Sequence, residues 1–142
     1  MNSNNTGRQL EDMKIPVKLK LSALWVVLMA FYIYADFFSL FEPGEIEEML
    51  AGRMGPYPVT QGGLFTATIL MVIPAVMIFL SLILKPTVNR WTNIIVGGLY
   101  LVVSIQNIIG ETWAYYIFYG IIEALLLLLM VWYAWTWPKQ EA

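Results

Sequence analysis

Two acidic residues, Asp36 and Glu123, stand inside long apolar runs, LSALWVVLMAFYIYADFFSLF and WAYYIFYGIIEALLLLLMVWYAW. A carboxyl group in hydrocarbon is costly unless it is paired, hydrated or neutralised. A chain that keeps two of them either fastens helices together with them or uses them to hold a cation, a proton or the polar part of a small molecule. Helical spacing gives each acid a set of neighbours. Trp113, Tyr116, Gly120, Glu123 and Leu127 recur at steps of three and four, as do Trp25, Met29, Tyr32 and Asp36. A third run carries Asn93, Gly97, Tyr100, Ser104 and Asn107 in a polar or small-residue seam, with Gln106 beside it. Lipid has no use for such a seam, so it is expected to face other helices. A fourth run holds Pro74 at its middle and Ser81 farther along. Proline removes a backbone donor, which leaves the carbonyl of Leu70 free for a neighbouring helix or a water.

These features point to a polar cleft lined by Asp36, Glu123, Tyr32, Gln106, Asn107 and Tyr116. The competing reading is mutual satisfaction. Polar contacts between membrane helices average about 0.6 kcal/mol, enough to set helix register without any ligand. The chain has no cysteine and no histidine, which removes disulfides, thiolate catalysis, imidazole ligation of haem and the usual zinc sites. No metal site, cofactor or catalytic residue is assigned. Basic residues mostly flank the apolar runs, so nothing marks a nucleic-acid partner.

The elements that must position these residues follow from composition. Of 142 residues, 59% are hydrophobic and 13% charged, and the apolar excess falls in four blocks. The expected spans are about 19–41, 64–84, 91–109 and 113–137, each long enough for a helix to cross the hydrocarbon core. Tight second and third connections imply antiparallel neighbours. The expected fold is all-α: a transmembrane antiparallel four-helix bundle, up-down-up-down. Residues 16–138 form its membrane domain, between a flexible cytoplasmic tail at 1–15 and a short one at 139–142. In the first outer loop, Glu45–Ala51 follows Pro43-Gly44 and can make a short amphipathic helix; a solvated acidic loop is the alternative. Arg8, Lys14, Lys18, Lys20, Lys85, Arg90 and Lys139 fall on one side and only Arg53 on the other. Both termini are therefore expected in the cytoplasm, with the chain in the inner membrane of a cell. Trp91, Trp113, Tyr115, Tyr116, Trp132, Tyr133, Trp135 and Trp137 mark the interfaces.

The strings Tyr32-Ile33-Tyr34-Ala35-Asp36, Phe41-Glu42-Pro43-Gly44, Thr60-Gln61-Gly62, Ile73-Pro74, Asn89-Arg90-Trp91-Thr92-Asn93-Ile94-Ile95 and Trp132-Tyr133-Ala134-Trp135 resemble a bacterial family of small four-span membrane proteins catalogued as a domain of unknown function. The resemblance runs from about residue 15 to 137. It implies a four-helix integral membrane fold and no established activity. The architecture is also similar, loosely, to DoxX-like proteins, some of which accompany quinone-linked oxidoreductases; no redox motif matches them. Three functions are open. The first is binding or transport of a small molecule, ion or proton in the cleft, with a homo-oligomer as one way to complete a pathway. The second is an accessory or scaffold subunit presenting a helical surface. The third is an intramembrane enzyme acting on a lipid.

Overall fold

The computed structural model describes residues 12–138. The carboxy-terminal tail at 139–142 and the first eleven residues of the amino-terminal tail lie outside that range. Four long helices, α1 (Val17–Ser39), α3 (Gln61–Ile83), α4 (Pro86–Ile108) and α5 (Ala114–Trp135), are each long and apolar enough to cross a membrane. Their starts follow local chemistry. Pro16 precedes α1, and its carbonyl accepts from the backbone N–H groups of Leu19 and Lys20 at 3.1 and 3.2 Å. Thr60 caps α3 by accepting from the Gly63 N–H at 3.0 Å. Pro86 occupies the first turn of α4, where the missing N–H has no intrahelical partner to lose. The α4 helix therefore starts at Pro86, a full turn before the apolar run that opens at Trp91.

The first loop is more structured than its composition suggests. Gly44, with φ of 93°, turns the chain into the six-residue helix α2 (Glu45–Leu50). Glu45, Glu47 and Glu48 sit in its first turn, where the helix dipole favours negative charge. Ile46, Met49 and Leu50 are all exposed, and no residue of α2 is buried. A two-strand hairpin follows, β1 (Arg53–Met54) with β2 (Tyr57–Pro58), paired Arg53↔Pro58 and Met54↔Tyr57. An all-α fold has no place for this hairpin, which is a departure from expectation. The tight turn at Gly55-Pro56 brings the two ends together, and Glu48 reaches the Arg53 guanidinium at 3.1 Å.

The four long helices pack in a ring in which α4 meets α5, α1 meets α3 and α5, and α3 meets α4. In each pair rising numbers on one helix meet falling numbers on the other. Ser22 donates to the Ile78 carbonyl and Lys18 to that of Leu82. On the α3–α4 side, Asn89 reaches the Ser81 carbonyl while Tyr100 reaches that of Leu70. Ser104 lies against Gly120 and Glu123, whereas Gly97 lies against Met130 and Val131.

The core contains Leu21, Trp25, Leu28, Met77, Tyr100, Leu127, Met130 and Ala134. The perimeter is apolar as well: Ile33, Phe65, Phe79, Ile95, Phe118 and Leu125 are all exposed. Meanwhile Ser22, Ser81, Asn89, Asn93, Ser104 and Glu123 are buried. Apolar outside and polar within is the distribution expected where the solvent is lipid.

Candidate functional site

Polar side chains occupy the two halves of the bundle in different ways. Towards the ends of α1 and α4 that carry Lys18 and Pro86, they satisfy one another. The Trp25 indole N–H donates to Asn93 Oδ1 at 2.8 Å, and Ser81 Oγ approaches the same oxygen at 3.4 Å. The Asn93 amide donates to the Asn89 carbonyl at 2.9 Å and to Asn89 Oδ1 at 2.7 Å. Asn89 in turn donates to the Ser81 carbonyl at 2.6 Å. Trp25, Ser81, Asn89 and Asn93 are fully buried. This dry knot ties α1, α3 and α4 together.

Toward the other end the polar groups surround a cavity of about 170 Å³. All four long helices line it: Tyr32, Ala35 and Asp36 from α1, Leu70 and Met71 from α3, Tyr100, Val103 and Asn107 from α4, and Tyr116 and Glu123 from α5. The floor is set by packing. Gly120 has no side chain to hold Ile108 away, so α4 and α5 close tightly beside Glu123. Ser104 then donates to Glu123 Oε2 at 3.1 Å. Glu123 is 5% exposed. Tyr100 gives its hydroxyl hydrogen to the Leu70 carbonyl, the group that Pro74 leaves without an intrahelical donor. The proline thus creates an acceptor on α3 that α4 uses, as one of the two expected outcomes had it.

Among the described residues, the side chains of Tyr32, Asp36, Asn107 and Tyr116 make no hydrogen bond to the protein, and Glu123 is engaged only through Oε2. These atoms open onto the cavity; among the described residues the sealed side-chain polar atom without a partner is Arg90 Nε. The cavity has room for about five waters at ~30 Å³ each, and such waters or a bound guest can supply those bonds.

Five of the six residues expected in the cleft meet there: Asp36, Glu123, Tyr32, Asn107 and Tyr116. Gln106 does not. It is exposed on α4 and absent from this lining, because one residue turns the helix by about 100° and carries it off the Ser104–Asn107 line. Asp36 is exposed and stands at the rim rather than pointing to the centre. The inward line of α1 runs Leu21, Trp25, Leu28, Tyr32, Ala35, one step from the Trp25–Met29–Tyr32–Asp36 stripe. Asp36 also lines a second cavity of about 710 Å³ with Glu45, Met49, Arg53, Met54 and Leu64, so it is shared by the inner cavity and a wider vestibule beneath α2. Asn89, outside the expected span 91–109, lies on α4, and its four-residue spacing from Asn93 extends the seam by one turn.

Four apolar helices around inward polar side chains define a small multi-pass membrane protein. The chain belongs to the family of unknown function DUF6326, whose model matches residues 12–142. No curated protein and no solved structure matches it, and the likeness to DoxX-like bundles stays loose.

Proposed function

We propose that this protein binds a proton or a small monovalent cation in the cavity between Asp36 and Glu123. The observation that carries this reading is the contrast between the two halves. The knot around Asn93 has its polar groups paired within the protein, whereas the cavity groups are acceptors and hydroxyls with few or no protein partners. Two carboxyls, three phenols and one amide line it, with no lysine or arginine among the lining residues. Its small volume suits a hydrated cation better than a drug-sized guest, whose pockets run about 300–1,000 Å³. Asp36 at the rim offers a first charge to an arriving cation, and Glu123 the last.

The membrane arrangement belongs to the same proposal. Lys14, Lys18, Lys20, Lys85 and Arg90 flank one end and Arg53 the other, which supports an up-down-up-down bundle in the inner membrane with cytoplasmic termini. The cavity then opens outward, and the Asn93 knot closes its cytoplasmic side. Binding from outside needs no rearrangement; release to the cytoplasm requires the knot to part.

The test uses protein reconstituted in liposomes with an internal pH dye, under imposed proton or sodium gradients, with sodium-23 relaxation as the binding readout. Glu123→Gln keeps an acceptor for Ser104, and Asp36→Asn alters only the rim. Loss of saturable sodium binding or of proton uptake in the double variant, with helicity unchanged, supports the reading. Equal binding and uptake in wild type and double variant overturn it.

A further inference from the structure

A third cavity, of about 430 Å³, lies where α1 ends and α5 begins, and shares no lining residue with the Glu123 cavity. Its walls are Phe38, Phe41, Trp113, Tyr115 and Tyr119, with Glu42 as the one charged group. The rings meet at varied angles. Phe38 and Tyr119 are stacked at 6.5 Å between centroids, Tyr115 and Tyr119 are edge-on at 6.4 Å, and Trp113 is tilted against Tyr115 at 6.5 Å. Two carboxylates hold the box in shape. The Tyr115 hydroxyl donates to Glu42 Oε1, which fixes that carboxylate beside the ring faces. Glu111 Oε1 accepts from the backbone N–H groups of Thr112 and Trp113 at 2.6 and 2.8 Å, which pins the Trp113 backbone at the start of α5.

The chemistry of this box selects its guest. Aromatic faces carry negative potential, and a cation within about 6 Å of a ring centroid gains about 0.5–2 kcal/mol there. Glu42 adds a full negative charge. Among the described residues the ion pair within bonding distance is Glu48 with Arg53, so no lysine or arginine neutralises Glu42. An acyl chain gains nothing from the carboxylate, and an anion is repelled by it. Glu42 can answer one N–H of a primary ammonium, but the ring faces leave its other N–H groups without acceptors. A methylated ammonium does not need them, and it fits a volume within the small-ligand range.

We propose that Phe38, Phe41, Glu42, Trp113, Tyr115 and Tyr119 form a cage for a quaternary ammonium group, carried either by a free amine such as choline or by a phosphatidylcholine headgroup. The site lies at a helix end, where Trp and Tyr rings meet headgroups, so both sources can reach it. Nothing in this inference depends on the Asp36–Glu123 reading.

The experiment is calorimetric titration of the full chain in phosphatidylglycerol nanodiscs. Choline is compared with 3,3-dimethylbutan-1-ol, which has the same shape and no charge. Saturable choline binding at least about tenfold tighter than that of the neutral analogue is expected from the cation–π and Glu42 contributions. Glu42→Gln should weaken choline by about tenfold and leave the neutral analogue unchanged. Equal affinity for the two probes in the wild-type protein, or no saturable choline binding, overturns the proposal without recourse to a variant. Doping the disc with phosphatidylcholine then separates the sources. Competition with choline assigns the cage to the headgroup, and its absence assigns it to the soluble amine; both presuppose the cage.

Discussion

Replacing Asn93 with leucine keeps a branched side chain of similar outline and removes four hydrogen bonds at once. Two independent magnitudes bound the effect. Two of the four cross between helices, and such contacts average about 0.6 kcal/mol, which gives about 1.2 kcal/mol. Alternatively, the substitution strands the Trp25 N–H and the Asn89 side-chain oxygen, which lose their only partners, at about 1–3 kcal/mol each. Ser81 is less affected, since a serine hydroxyl can turn to the carbonyl four residues earlier on its own helix. Water cannot repair the loss, because Trp25, Ser81, Asn89 and Asn93 are all fully buried. The two routes bound the destabilisation between about 1 and 6 kcal/mol. Equilibrium unfolding in mixed micelles, followed by far-ultraviolet circular dichroism, measures it. Trp25→Phe alone and the Trp25→Phe/Asn93→Leu pair complete a cycle that isolates the indole–amide bond. A shift for Asn93→Leu inside about 0.5 kcal/mol, the range of inconsequential surface changes, would refute the knot as what holds α1, α3 and α4 in register.

Other consequences follow from single contacts. A Cβ on Gly120 would lie 2.5 Å from Ile108 Cγ1 and 2.8 Å from its Cδ1, so Gly120→Ala should destabilise by about 1–3 kcal/mol, with Ile108→Ala on the same background restoring part of it in the same unfolding assay. Thr60→Ala removes the cap on α3 and should cost about 0.5–2 kcal/mol, seen as faster hydrogen exchange at the Gly63 amide. Tyr100→Phe frees the Leu70 carbonyl, so a carbon-13 label there should shift to higher amide I frequency; an unmoved band shows that the phenol is not its partner. Glu48→Gln should change stability by under about 1 kcal/mol, since the pair it forms with Arg53 is about half exposed.

Much of this architecture is written in residue spacing, and the rest is lost for identifiable reasons. The Asn93–Gly97–Tyr100–Ser104 seam was legible because buried polar and small residues at steps of three and four have one helical face to occupy, and all four are buried. Glu123 was legible for the same reason. Asp36 was not, since a stripe read from Trp25 fits 29-32-36 and 28-32-35 almost equally well, and only packing against α3 and α5 chooses the second. Gln106 failed on the same one-residue ambiguity. The hairpin at 53–58 escaped because two-residue strands carry no periodic signal. The aromatic cage could not be read at all. It joins Phe38, Phe41 and Glu42 to residues more than seventy positions away, and from sequence Trp113 and Tyr115 are accounted for by the interface belt while Tyr119 carries no signal.

What separates fastening from function in this bundle is where polar atoms find their partners. Carboxyls, amides and hydroxyls are all foreign to lipid, the carboxyl most of all, and each can serve as a fastening, so presence inside the ring of helices does not by itself decide the role. Their pairing does. Around Asn93 each donor is answered by an acceptor on another helix or on the preceding turn, and removing one group harms the fold. Around Glu123 a single serine answers a single oxygen, while half-buried Tyr32 and Tyr116 and exposed Asn107 line the same small space with unpaired groups. These groups open onto the cavity, where water can answer them. The Asn93 knot thus holds α1, α3 and α4 in register at one end, while α5 is held beside the cavity by Ser104 and by the close approach of Gly120 to Ile108.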